Sequence, residues 1–124
     1  CIVAHGTGTI QNDKLESQMI RSCFGGHAEH IYVTAPKGVL GHTGGTSGAF
    51  GLLTAISTFT AGKIPPIANL EKPDPACSLR LVTQQSVPYT VKLAMVNAFA
   101  FGGTNAVLLC RNERYGSNNA NCNN

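Results

Sequence analysis

Three polar segments interrupt a largely apolar sequence and hold the residues best suited to chemistry. They are "AHGTGT" at 4–9, "KGVLGHTGG" at 37–45 and "NAFAFGGTN" at 97–105, and together they contain two histidines, one lysine and repeated Gly-Thr steps. A histidine changes its charge near neutral pH, so a neighbouring lysine can decide its protonation state. Each segment lies at the end of a predicted strand, where α/β proteins gather binding and catalytic groups. The three segments are therefore candidates for one site.

Each segment taken alone has a plainer interpretation. Glycines occupy turns that require a positive φ, and a lone histidine beside a strand is more often a hydrogen-bonded structural residue than a catalyst. The run "GHTGGTSG" lacks the Gly-Lys-Ser/Thr sequence of a phosphate-binding loop, and Lys37 precedes its glycines instead. No Gly-x-Ser-x-Gly elbow occurs, which argues against a serine hydrolase of that type.

The first elements that must position these segments alternate between strands and a helix. Residues 1–4 form a short apolar strand pattern, and "IYVTA" at 31–35 is rich in β-branched and aromatic residues. Between them, Asp13 can cap a helix that ends at Gly25-Gly26 and whose apolar residues share one face. Those apolar residues are Leu15, Met19, Ile20 and Phe24.

The second half of the chain predicts a buried helix and more strands. Residues 49–62 are apolar nearly all round, which predicts a helix buried on all sides that ends at Gly62. Four prolines in 63–75 predict an extended connector. The remaining apolar runs are predicted strands, at 79–83, 91–97 and 105–110. The last two runs do not alternate with polar residues, which is typical of strands covered on both faces. The order β-α-β-α-β-β-β predicts an α/β layered domain with a mixed sheet.

Composition excludes several classes of function. At 124 residues with a net charge of +3, the chain is about one domain without a basic stripe, so no nucleic-acid partner is expected. Its five cysteines show no Cys-x-x-Cys pair and no metal-like spacing with histidine, which predicts reduced thiols and no metal site. No apolar run reaches the roughly 18 residues that span a bilayer, so we expect a cytoplasmic protein without membrane attachment.

The two ends of the chain differ from its middle. The asparagine-rich end at 114–124 has no core residues and is predicted to be a disordered tail. The chain starts directly in a strand pattern, without a methionine or leader, which predicts that it is part of something longer.

Taken jointly, "AHGTGT", "KGVLGHTGGTSG" and "NAFAFGGTN" resemble motifs in the C-terminal part of β-ketoacyl synthases. These are the condensing enzymes of fatty-acid and polyketide assembly, in the thiolase-like superfamily. The resemblance runs from about Ile2 to Cys110, and we interpret residues 1–113 as the C-terminal part of a synthase domain. It implies a thiolase-like layered α/β/α fold, present in part, and decarboxylative Claisen condensation of a malonyl thioester with an acyl thioester.

The resemblance also implies catalytic roles for three residues. His5 and His42 match the two active-site histidines that bind the malonyl thioester and assist its decarboxylation, and Lys37 matches the lysine that supports the second histidine. Loss of CO₂ leaves negative charge on the thioester oxygen, and two imidazole N–H donors would stabilise that charge.

Four further residues match positions that contact substrate in the family. Thr7 and Thr9 match threonines that hydrogen-bond the phosphopantetheine arm of the acyl carrier protein. Phe99 and Phe101 lie in the loop that gates the acyl pocket, and the Phe101 N–H matches an oxyanion-hole donor. The implied carrier is acyl carrier protein or CoA, with no bound cofactor, and the implied assembly is a homo- or heterodimer.

The chain departs from the family pattern at several positions. Val3 stands where members usually have glutamate, and Ala100 replaces a glycine of the gating loop, which predicts a stiffer loop. Gly51 stands where some bacterial fatty-acid members carry glutamate and polyketide modules carry glycine.

The nucleophilic cysteine of the family lies upstream of this region, and none of the five cysteines has a matching setting. The chain is thus interpreted as a fragment of a longer synthase, a subunit of a split enzyme whose partner carries the cysteine, or a degenerate half. Another hypothesis is a non-catalytic partner similar to chain-length factors. A thiolase-type enzyme is a weaker alternative, because the second catalytic cysteine of thiolases is missing.

Overall fold

The computed structural model describes residues 1–115, which form a five-stranded sheet and a separate two-stranded sheet. The strands of the larger sheet are β1 (Ile2–Val3), β2 (Tyr32–Thr34), β4 (Arg80–Leu81), β6 (Leu93–Phe99) and β7 (Asn105–Arg111). Their order in the sheet is β4-β2-β1-β6-β7. The first four pair in parallel, and β7 is antiparallel to β6. The predicted α/β architecture with a mixed sheet is confirmed.

Residues 1–115 also contain three α-helices and four short 3₁₀ helices, the last of which follows β7. The α-helices are α1 (Ile10–Phe24), α2 (Lys37–Leu40) and α3 (Ser47–Ala61), and the 3₁₀ helices are Gly25–His30, Gly44–Thr46, Phe101–Gly103 and Glu113–Tyr115. Arg114 and Tyr115, predicted to begin the tail, lie in the last of these turns, and residues 116–124 lie outside the described part of the chain. Among the helices of residues 1–115, none combines the length and the apolar character needed to cross a membrane.

Helix α1 begins earlier than predicted. Thr9, not Asp13, is its N-cap, and the Thr9 hydroxyl accepts the Asn12 N–H at 3.3 Å. Asp13 lies in the first turn instead, where an acidic side chain is stabilised by the helix dipole. Its carboxylate accepts the N–H of Gly8 at 3.3 Å.

The predicted apolar face of α1 is only partly correct. Ile20 is buried, but Leu15 and Met19 are about half exposed, at 54% and 50%. The buried face instead consists of Glu16, Ser17 and Ile20. Glu16 faces inward because its carboxylate accepts the backbone N–H groups of His5 and Gly6, just after β1.

Helix α3 is buried on one face, not on all sides as predicted. Gly51, Ala55 and Thr58 are buried against the sheet, where α3 packs on β1 and β6. The opposite face is exposed and carries large apolar residues, namely Phe50, Leu53 and Ile56. Helix α3 does end at Gly62, whose left-handed conformation closes the last turn.

The proline-rich connector and the last strands also differ from prediction. Residues Lys63–Ile64 form strand β3, which pairs antiparallel with β5 (Val87–Pro88), and the sequence patterns indicated neither strand. Strands β4, β6 and β7 lie within two residues of their predicted ranges. The prediction that β7 is covered on both faces is wrong, because Val107, Leu108 and Leu109 are about half exposed.

Candidate active site

The strand ends bring the three polar segments together. His5 follows β1, Lys37 follows β2 at the start of α2, and Phe99 ends β6. Because β1, β2 and β6 are parallel, their carboxyl ends share one edge of the sheet. The residues after them therefore converge, as the segment spacing predicted.

His5 lies at the centre of this convergence and is only 6% exposed. The Phe99 backbone N–H donates to its Nδ1 at 3.3 Å. The Lys37 ammonium donates to the His5 carbonyl oxygen at 2.5 Å and lies 3.4 Å from Nδ1. A backbone N–H can only donate, so Nδ1 is an acceptor and the neutral ring carries its proton on Nε2.

His42 stands against His5 with the same tautomer. The two ring centroids are 5.8 Å apart and the rings are nearly perpendicular, at 85°. The Gly44 backbone N–H donates to His42 Nδ1 at 3.1 Å, so the proton of the neutral ring is again on Nε2. Unlike His5, His42 is exposed. The two rings are thus neighbours, and in the neutral form of each the proton is on Nε2.

Lys37 contacts a different histidine from the one expected. We predicted that it supports His42, but its hydrogen bonds within residues 1–115 go to His5. The reason is geometric: Lys37 is the first residue of α2, where its ammonium reaches the His5 carbonyl oxygen, whereas His42 follows the helix after the chain turns at Gly41 with φ 71°.

Burial and charge keep His5 neutral. Removal from water lowers the pKa of His5, the Lys37 ammonium lowers it further, and the Glu16 carboxylate opposes both. Burial also lowers the pKa of Lys37, again opposed by Glu16 and then by Asp13. The neutral imidazole is therefore the favoured form of His5 near neutral pH.

Glu16 is a site residue that sequence reasoning missed. It is 4% exposed, and its two carboxylate oxygens accept the N–H groups of His5 at 2.9 Å and Gly6 at 3.0 Å. The Asn97 side-chain amide donates to the same carboxylate at 2.8 Å. Glu16 therefore ties the first polar segment to the third. The available signal was its place one turn before Ile20 on the inner face of α1.

The remaining predicted residues surround this centre. The Thr7 and Thr9 hydroxyls hydrogen-bond each other at 2.8 Å. The Phe99 ring packs on His5 at 5.3 Å between centroids. Phe101 is fully exposed on a turn that the Ala100 N–H closes onto the Thr104 carbonyl oxygen at 2.9 Å.

A cavity of about 430 Å³ lies behind Lys37, between α1, the end of β2 and residues 67–81. Thr7, Thr9 and Glu16 line it together with Lys37. His5 and His42 do not line it, so the cavity lies beside the pair of histidines and does not include it.

The family model of the β-ketoacyl synthase C-terminal domain matches residues 1–71. The chain belongs to the β-ketoacyl synthase family. The match includes His5, Lys37 and His42, and it ends within the proline-rich connector.

Curated relatives align over most of the chain. It is 41% identical over 107 residues to 3-oxoacyl-(acyl-carrier-protein) synthase 2 of Synechocystis sp., with 86% of this chain and 26% of that protein covered. It is 38% identical over 110 residues to nodulation protein E of Rhizobium sp., with 89% of this chain and 27% of that protein covered. The chain thus spans about a quarter of the length of the curated relatives it matches.

Solved ketosynthases share the fold. The ishigamide ketosynthase/chain length factor superposes with a TM-score of 0.82 at 39% identity, over 87% of this chain and 26% of that one. A second match is the AntDE:AntF complex, a type II PKS acyl-carrier protein with its ketosynthase bound to the hexaketide. It superposes with a TM-score of 0.85 at 30% identity, over 89% of this chain and 27% of that one. The predicted thiolase-like layered fold, present in part, is confirmed.

The structure gives a packing reason for glycine at position 51. A Cβ on Gly51 would lie 2.6 Å from Val96 Cγ1, too close for any side chain without movement of Val96. Val96 is itself 3% exposed in the core between α3 and the sheet. A glutamate therefore does not fit here unless Val96 moves.

Proposed function

We propose that this chain supplies the decarboxylating part of a β-ketoacyl synthase active site. The observation that carries the proposal is the pair His5 and His42, whose rings lie 5.8 Å apart with both Nδ1 atoms accepting backbone N–H groups. Both rings then present Nε2–H donors to a single oxygen. The proposed reaction is decarboxylative Claisen condensation of a malonyl thioester with an acyl thioester, in fatty-acid or polyketide synthesis.

In the first step of this reaction, the bond between the malonyl carboxylate and the α-carbon breaks and CO₂ leaves. The electron pair of that bond passes onto the thioester as an enolate, with negative charge on its oxygen. Both Nε2–H groups donate to this oxygen, and each preorganised donor contributes about 3–4 kcal/mol to the stability of the transition state. The α-carbon then attacks the acyl thioester, a carbon–carbon bond forms and the cysteine thiolate leaves.

Lys37 serves this step through His5. An imidazolium would lose the Nδ1 acceptor that receives the Phe99 N–H at 3.3 Å. The ammonium, 3.4 Å from that nitrogen, opposes protonation of the ring and so keeps the donor tautomer. The substrate therefore meets a neutral His5 near neutral pH.

The substrate carrier in this proposal is the phosphopantetheine arm of acyl carrier protein. Thr7 and Thr9 offer hydroxyls to its amides, while Phe99 and the fully exposed Phe101 border the acyl pocket, with the Phe101 N–H as oxyanion donor. The AntDE:AntF complex supports a carrier protein as partner, because it pairs a related ketosynthase with one.

The acyl-accepting cysteine comes from another segment in this proposal. That segment is the N-terminal half of the synthase, in the same polypeptide or as a separate subunit, within a homo- or heterodimer. The exposed apolar residues of α3 support such a partner, because Leu53 and Ile56 are 55% and 47% exposed in this chain.

Malonyl decarboxylation by the complete synthase tests the proposal. We expect His5→Ala and His42→Ala each to slow decarboxylation of malonyl-acyl carrier protein by about 10²–10³-fold. His27→Ala, at an exposed histidine in the 3₁₀ helix after α1, is the matched control and should keep the full rate. Full decarboxylation by either active-site variant would refute the assignment.

A chain-length-factor role is the second candidate, favoured by the similarity to the ishigamide ketosynthase/chain length factor. In that role the partner subunit would carry the whole reaction. The same assay separates the two roles: decarboxylation that survives His5→Ala and His42→Ala here, but fails when the partner's own histidines are replaced, would establish the non-catalytic role.

A further inference from the structure

The proline-rich segment at residues 65–70 is fastened along the corner where β2 leads into α2. The Thr34 hydroxyl donates to the Pro65 carbonyl oxygen at 2.8 Å, and the Ile67 N–H donates to the Val82 carbonyl oxygen at 2.9 Å. At its far end, the Asn69 side-chain amide donates to the Gly38 carbonyl oxygen at 2.9 Å. We call residues 65–70 the brace.

The brace touches α2 so closely that only glycine fits at position 38. A Cβ added to Gly38 would collide with the carbonyl oxygen of Ala68 and crowd its backbone nitrogen. Backbone lies directly against backbone at this point, so neither side can yield by rotating a side chain. The position of α2 is therefore coupled to the position of the brace.

Asn69 satisfies a carbonyl that α2 leaves without a helical partner. The helix has four residues, and its closing bonds run from the N–H groups of Leu40 and Gly41 to the carbonyl oxygens of Pro36 and Lys37. The chain then leaves the helix at Gly41, so no further turn reaches the Gly38 carbonyl oxygen. The amide of Asn69 donates to it from 31 residues away.

The backbone of Asn69 suits this task as well as its amide does. Asn69 has φ 62°, in the left-handed region that asparagine enters more readily than most other non-glycine residues. Glycine would adopt the same conformation but carries no amide, and aspartate would keep the shape but could not donate. Asparagine meets both requirements.

The geometry points to Asn69 as a positioning residue of the synthase site, acting through α2, and this inference rests on the proposed function. Helix α2 starts with Lys37, whose ammonium donates to the His5 carbonyl oxygen at 2.5 Å, and His42 follows the helix by two residues. A shift of α2 therefore moves the ammonium that lies next to His5 and the second histidine together.

Asn69→Asp and Asn69→Gly in the complete synthase test this inference. We expect decarboxylation kcat to fall about tenfold or more, because small misplacements of catalytic groups are costly, while KM for the malonyl substrate changes little. As Lys37 retreats from His5, the acid limb of the pH–rate profile should move to higher pH. A loss of folded protein alone would lower the amount of active enzyme without moving that limb.

The chain offers a matched control in Gln84, the other non-glycine residue with positive φ within residues 1–115, at 60°. Gln84→Gly should leave kcat and the pH profile unchanged. Gly38→Ala adds a Cβ on α2 that pushes against Ala68 of the brace. This variant should show the same fall in kcat and the same shift of the acid limb as Asn69→Asp. Unchanged kcat and an unmoved acid limb in Asn69→Asp and Asn69→Gly would overturn the inference.

Hydrogen exchange in the same synthase separates this inference from the proposed function. Asn69→Asp should speed exchange of the Leu40 and Gly41 amides, which close α2, and Gln84→Gly should not. This result is expected even if His5→Ala retains decarboxylation and the proposed function fails. Unchanged exchange at both amides in Asn69→Asp would overturn the inference whatever the activity.

Discussion

Glu16 fixes the backbone of His5, whereas Lys37 favours the neutral form of the His5 ring. The buried carboxylate accepts two backbone N–H groups, from His5 and Gly6, and the amide of Asn97. Glu16→Gln keeps the shape but replaces one acceptor oxygen with a donor. We expect the free energy of unfolding to fall by about 2 kcal/mol, because buried donors lose their partner. Chemical denaturation of the complete synthase measures the change.

A neighbouring position controls for the Glu16 substitution. Gln18→Glu changes charge on the exposed side of the same helix and should leave stability within about 0.5 kcal/mol. Glu16→Gln should also slow decarboxylation, since the His5 backbone loses its anchor. Wild-type stability in Glu16→Gln would show that the carboxylate is not needed to hold the strand end.

Lys37 adds to burial in lowering the pKa of His5. Burial and then the Lys37 charge lower the pKa of His5. Lys37→Met removes the second cause, so the pKa of His5 should rise, and the acid limb of decarboxylation should move to higher pH. NMR titration of the His5 ring measures this directly. Lys63→Met, at an exposed lysine on β3, is the control. An unchanged or lowered His5 pKa in Lys37→Met would contradict this account.

The same shift has a consequence for stability. Because the pKa of His5 is lowered by folding from its ordinary value of 6.5, the unfolded chain takes up this proton first. Stability should therefore fall as pH drops below about 6.5, until the folded protein also protonates His5.

Sequence reasoning found the histidines and the lysine because glycine-rich segments at strand ends are visible without a structure. It missed Glu16, since an acidic residue on an amphipathic helix normally faces solvent. Its partner Asn97 lies 81 residues away, on another strand. Only the packing of α1 against the end of β1 shows that the two meet.

At the scale of elements, α3 shows how close packing decides between two opposing effects. Gly51→Ala improves helix propensity by about 1 kcal/mol, but the new Cβ would lie 2.6 Å from Val96 Cγ1. Overpacking in a core costs about 1–3 kcal/mol, so we expect a net loss of stability of up to about 2 kcal/mol. Thermal unfolding of the synthase measures it.

Gly48 on the same helix is the matched comparison for Gly51. A Cβ there would meet Ala98 at 3.6 Å, an ordinary contact, so Gly48→Ala should be neutral or slightly stabilising. Equal changes in the free energy of unfolding for the two substitutions would show that Val96 moves aside without cost. Packing would then not require glycine at position 51.

Elements that lie within clear apolar runs were predictable, and short elements outside such runs were not. The helices over 10–24 and 47–61 and the strands over 93–99 and 105–111 left periodic or continuous apolar signals. Strands β3 and β5 have two residues each and lie outside the apolar runs that marked the equally short strands β1 and β4. Helix α2 lies in a segment where glycines favour turns, and contact with the brace helps to hold it.

At the scale of the whole molecule, apolar runs predicted burial that this chain alone does not provide. Helix α3 packs on one side and exposes Leu53 and Ile56 on the other, and strand β7 exposes Val107, Leu108 and Leu109. A sequence reports how apolar a segment is, but not which polypeptide covers it. The proposed cysteine-bearing segment would account for the burial that these runs predict.

Association with that segment gives the last prediction. Leu53 is 55% exposed on the outer face of α3, so Leu53→Asp should leave the core of this chain intact. Burying its charge at an interface costs several kcal/mol, so co-purification with the cysteine-bearing half, expressed separately, should be lost. Leu53→Ala keeps the helix and adds no charge, so it should weaken association only partly. Ser86→Asp adds the same charge in the exposed loop before β5 and should not weaken association. Undiminished co-purification of Leu53→Asp would mean that this face of α3 is not where the halves of the synthase meet.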